Sequence, residues 1–166
     1  MSDPCADAKA DLSNAESRQS KASTWVTSAT ADVKTATTAH GEAVYEHGRA
    51  VTAAKGFDSS ASTCTDAVAT ARAAYETADR EYHEINREAR LGELASALNG
   101  AKGDLTVAEG KSESAWGKVG DRAKEVEHAL TAITTAENKL SLAEDDASEV
   151  AKWVSNAKSA VSTACP

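Results

Sequence analysis

The chain has 166 residues, a formal net charge of −8 and 41% hydrophobic residues, of which alanine supplies 36 while Leu, Ile, Val and Phe together number only 22. So few large apolar side chains ordinarily signal disorder, but the charge is modest for the length and the apolar residues keep a regular period, so helical order is expected. The acidic balance, with a pI near 5.0, argues against sequence-independent nucleic-acid binding, and no apolar run is long enough to predict a membrane span.

The first stretch opens on Asp3-Pro4, a helix start with proline at the first helical position and Asp7 near the positive end of the helix dipole. The N-terminus has neither a basic nor an apolar signal region, so a cleavable signal peptide is not expected. Alanine then returns every seven residues, at Ala8, Ala15, Ala22, Ala29, Ala36, Ala43 and Ala50. Four residues after each comes a second column: Leu12, Gln19, Val26, Val33, His40, His47 and Ala54. Together they read as the seam of a coiled coil with one column reduced to methyl groups, a device for bringing a second helix unusually close.

Gly56-Phe57-Asp58-Ser59-Ser60 reads as a turn, with Gly56 at a helix C-cap and Asp58 or a serine at the next N-cap. From Cys64 the seam resumes through Val68, Ala71, Tyr75, Ala78, Tyr82 and Ile85, and after a local shift runs from Leu91 to Ala164. A second turn is expected near 102 or near 115, where Ser112 and Arg122 are the weakest seam residues; Gly103, Gly110 and Gly117, seven apart, are alternatively close-approach positions on an unbroken helix. Equal lengths favour the later turn. The expected fold is therefore all-α, a single elongated domain over 1–166: a long antiparallel, alanine-rich coiled-coil bundle of three helices, up-down-up, at about 5–55, 60–112 and 120–164.

In that topology Cys64 and Cys165 meet at one end, predicting a disulfide that closes a loop of about a hundred residues and contributes roughly 4 to 5 kcal/mol in the chain-entropy model. Cys5 is left as a free or interchain thiol. His40 and His47 lie about 10 Å apart along a helix, too far to share a metal ion, and with His83 and His128 they read as interface histidines rather than ligands. Carboxylates alternate with Lys and Arg at helical spacing, as solvated pairs do. Neither a phosphate loop nor a triad nor a Cys-x-x-Cys pair is present, so no enzyme, cofactor or metal is expected.

Trp25 and Trp153 each precede a seam valine, and Trp116 falls in the second suspected turn; with Tyr45 these are candidate interface aromatics. Thr24 and Thr35 meet the eleven-residue spacing of helical ice-binding faces only as an isolated pair. The expected function is structural: a rod-like, non-enzymatic bundle that self-associates as a filament or other oligomer, or scaffolds a partner protein. The alternative is a soluble helical effector or binding module exported without a signal peptide, leaving a cytoplasmic or an exported location open.

Overall fold

The computed structural model describes residues 3–81 and 87–165. They form two helices, α1 (Pro4–Glu81) and α2 (Arg87–Ala164), and the described residues contain no strand. The all-α class therefore holds, but three helices do not. Tyr82, His83 and Ile85 lie outside the described residues.

The expected breaks near 56–60 and near 102 or 115 are helical, so the boundaries 5–55, 60–112 and 120–164 are corrected to two spans of 78 residues each. The physical reason lies in the relative cost of the two outcomes. A glycine inside a helix costs only about 1 kcal/mol against alanine, whereas ending the helix forfeits the packing of every later turn in that register. The residues read as caps are occupied otherwise. The Ser60 hydroxyl donates to the carbonyl of Gly56 at 3.1 Å, and the Asp58 carboxylate accepts from α2 instead of from its own backbone.

The start of α1 follows its sequence. Asp3 Oδ1 accepts the backbone N–H of Cys5 at 3.0 Å, and the Asp7 N–H donates to the Asp3 carbonyl at 3.0 Å, so Asp3 caps the helix and Pro4 occupies its first position. Threonines, poor helix formers, sit on the exposed faces and return their hydroxyls to the carbonyl four residues back, as Thr30 does to Val26 at 2.8 Å and Thr37 to Val33 at 2.8 Å.

The chain divides into two compact units, Met1–Glu42 with Val126–Pro166 and Ala43–Glu125, and α1 and α2 run antiparallel in each. The first unit holds a small core of Ala15, Ala22, Val150, Val154 and Ala157, with Leu12 and Ala147 packed against it. Ala15 and Ala143, one from the alanine column of each helix, are fully covered here. In the second unit Ala54, Ala78, Ala108 and Ala115 are buried by the opposing helix. No large side chain in the described residues is fully buried; apart from Val150 and Val154 the buried core is a line of alanine methyl groups, each contributing about 0.8 kcal/mol.

Gly103, Gly110 and Gly117 are not close-approach positions. A side chain added at any of them would meet nothing within 4 Å, because they lie on the outward face of α2.

Candidate functional site

The antiparallel pairing brings the end of α2 beside the start of α1, and this decides the cysteines. Cys5 and Cys165 form a disulfide, with their Cα atoms 5.1 Å apart, while Cys64 is free and half-buried in the seam. The expected Cys64–Cys165 bond and the free or interchain Cys5 are thus both corrected. The error followed from the helix count: with three helices Cys165 ends beside Cys64, and with two it ends beside Cys5.

The alanine column of α1 is divided between burial and partial exposure. Ala15, Ala22 and Ala29 are buried, and Ala8, Ala36, Ala43 and Ala50 are half-buried. His40 and His47 are half-buried in the neighbouring column, and His128 is exposed. Among the described residues no group of three or more His, Cys, Asp or Glu is placed to hold a metal ion, and no helix is long and apolar enough to cross a membrane.

Of the candidate interface aromatics, the three tryptophans lie on the flanks of the seam and Tyr45 on the outward face of α1. Trp25 is 44% exposed, Trp116 41%, Trp153 39% and Tyr45 67%. Two of the tryptophans are tied across the seam by a polar partner. In the first unit the guanidinium of Arg18 lies 5.3 Å from the centre of the Trp153 ring, a cation–π contact between α1 and α2. In the second, the indole Nε1 of Trp116 donates to both oxygens of Asp58, at 3.1 and 3.0 Å, and the Ser112 hydroxyl donates to the same carboxylate. Tyr45 is bordered by Arg49, whose guanidinium lies 6.0 Å from its ring on the same helix.

The two weak seam positions therefore have partners. Ser112 turns its hydroxyl to Asp58, and Arg122 leaves the alanine column for solvent, where it pairs with Glu125 at 2.6 Å. The Arg122 guanidinium is held above its ordinary range by the hydrogen bond and charge of Glu125, with a smaller pull from Glu46 on α1. A raised basic group contributes stability below its unfolded value and loses it as pH rises through the folded one. That window lies in strongly alkaline solution, so this arginine adds no pH dependence near neutrality.

These contacts divide the second unit into unlike flanks. One carries Glu46, Lys118, Asp121, Arg122 and Glu125 around an open cleft. The other carries Trp116 and Asp58, with Val44 exposed further along α1. No protein-family model, curated protein or solved structure matches the chain.

The sequence placed Trp25 and Trp153 on the flank of the seam but put Trp116 in a turn, where the structure has it on the flank of α2, and it missed Asp58 and Arg18 as partners. A signal for Asp58 was present: it lies seven residues after Val51 and fourteen after Val44, in register with a flank column, where a turn residue has no reason to fall.

Proposed function

We propose that this chain is a non-enzymatic structural protein that assembles with copies of itself through the flanks of its helix pair. The observation that carries the reading is the exposure of Trp25, Trp116 and Trp153 beside a seam that buries mainly alanine. A pair of helices can cover only one stripe of each, and large aromatic groups left on the borders of that stripe are the residue type enriched at protein interfaces. The thin core adds a second reason: a fold whose contacts are individually weak gains stability by mass action when further helices bind it.

Sedimentation velocity of the purified chain across a wide concentration range tests the proposal. Concentration-dependent growth beyond the monomer is the expected result. A strictly monomeric species at the highest concentrations would overturn it in favour of a helical binding module that docks on a different protein.

A further inference from the structure

The flank of the second unit that carries Trp116 has a definable geometry. Trp116 donates to Asp58, so the columns containing these residues lie on the same side of the helix pair. Stepping back along α1 by sevens from Asp58 gives Val51 and Val44, and stepping forward along α2 from Trp116 gives Ala123. Gly48 follows Val44 by four and Gly120 follows Trp116 by four, next to these columns on the same side. Val44, Gly48 and Val51 on α1 thus stand beside Trp116, Gly120 and Ala123 on α2. Nothing lies within 4 Å of where a side chain would project from Gly48 or Gly120, so both helix backbones are open to approach there. None of the six residues is charged, in a chain that is 27% charged and whose opposite flank in this unit holds Glu46, Lys118, Arg122 and Glu125.

We infer that this face binds the same face of a second copy of the chain, α1 of one copy lying along α2 of the other. The rim supplies the argument for that occupant. Lys55 follows Val51 by four and Glu113 precedes Trp116 by three, so both border the face, on opposite rims and at the same end, because Asp58 of α1 stands opposite Ser112 of α2. A two-fold axis parallel to the helices lays Lys55 of each copy over Glu113 of the other, giving two reciprocal ion pairs around the apolar centre. A two-fold across the helices would instead bring the Lys55 end of one copy against the opposite end of the other. The face is short, so the dimer is weak and forms as concentration rises. This inference rests on the self-association proposed above and names its surface and register.

Glycine makes the test clean. Replacing an exposed mid-helix glycine raises helix propensity, so Gly48→Glu with Gly120→Glu puts two charges into the face without weakening the fold. Gly103→Glu with Gly110→Glu adds the same charge on the outward face of α2. In sedimentation equilibrium of the full chain, the first pair is expected to weaken dimerisation by at least about tenfold and the second to leave it near wild type. Carbodiimide cross-linking of mixed light and heavy-isotope chains is expected to join Lys55 of one copy to Glu113 of another. Association by wild type that the Gly48/Gly120 variant retains overturns this face while leaving self-association standing, and equal weakening by both variants reduces the effect to net charge and overturns it too. A wild type that stays monomeric removes the self-association reading itself, and this surface with it.

Discussion

Trp116 and Asp58, 58 residues apart in sequence, are joined across the two helices of the second unit by an indole N–H that reaches both carboxylate oxygens. With the Ser112 hydroxyl on the same carboxylate, this is a register mark in a seam built largely of alanine. A run of alanines packs almost equally well after a slip of one heptad, whereas a polar contact of this kind is satisfied in one alignment only.

Asp58→Ala is therefore expected to destabilise the protein by about 1 kcal/mol, the modest value appropriate to an exposed hydrogen-bonded group. Urea unfolding of Asp58→Ala, Trp116→Phe and the double variant gives the coupling, expected near 0.5 to 1 kcal/mol. Additive single effects would show that the contact contributes nothing.

Removal of the Cys5–Cys165 bond, by reduction or by Cys5→Ser, is expected to lower stability by up to about 5 kcal/mol in the chain-entropy model, since the loop it closes spans a sequence separation of 160. Cys64→Ser is expected to leave the disulfide intact. Intact and peptide mass spectrometry without reductant checks the pairing directly; a Cys64–Cys165 peptide would contradict the two-helix arrangement.

Gly56 distinguishes an unbroken α1 from a turn. In a helix interior, with nothing within 4 Å of an added Cβ, Gly56→Ala is expected to stabilise by about 0.5 to 1 kcal/mol. At a left-handed C-cap the same substitution would destabilise. The sign of the change in thermal midpoint is the measurement.

Ala15 and Ala143 are fully covered, so neither has room for a larger group. Ala15→Leu and Ala143→Leu are each expected to cost about 1 to 3 kcal/mol through overpacking, although leucine is nearly as good a helix former as alanine. Leucine at exposed Ala31 is expected to change stability little. Equal tolerance at all three sites would mean that the alanine column does not set the spacing of the helices.

The helix count was legible in the seam, had its phase been weighed above its glycines. Ala50, Phe57, Cys64, Ala71 and Ala78 follow one another by sevens straight through the suspected turn, as do Ala54, Ala61, Val68 and Tyr75. The same holds in α2 from Leu94 through Ala101, Ala108, Ala115 and Arg122 to Ala129. A loop would keep that phase only by a coincidence of length. Gly56 and Asp58 were misread because a turn signal measures a local preference of about 1 kcal/mol, and a continuous seam outweighs it.

Composition and period by themselves determined that the chain is helical, that its helices pair through a column of methyl groups, that Asp3 and Pro4 begin the first of them, and that Trp25 and Trp153 border the seam. These follow from the position of each residue along one helix, which the heptad period encodes directly. Only the tertiary structure decided that Cys165 meets Cys5, and that Asp58 and Arg18 each hold a tryptophan of the opposite helix. Those contacts depend on which turns of α1 and α2 lie side by side, and a periodic pattern is by construction nearly indifferent to a shift by whole periods.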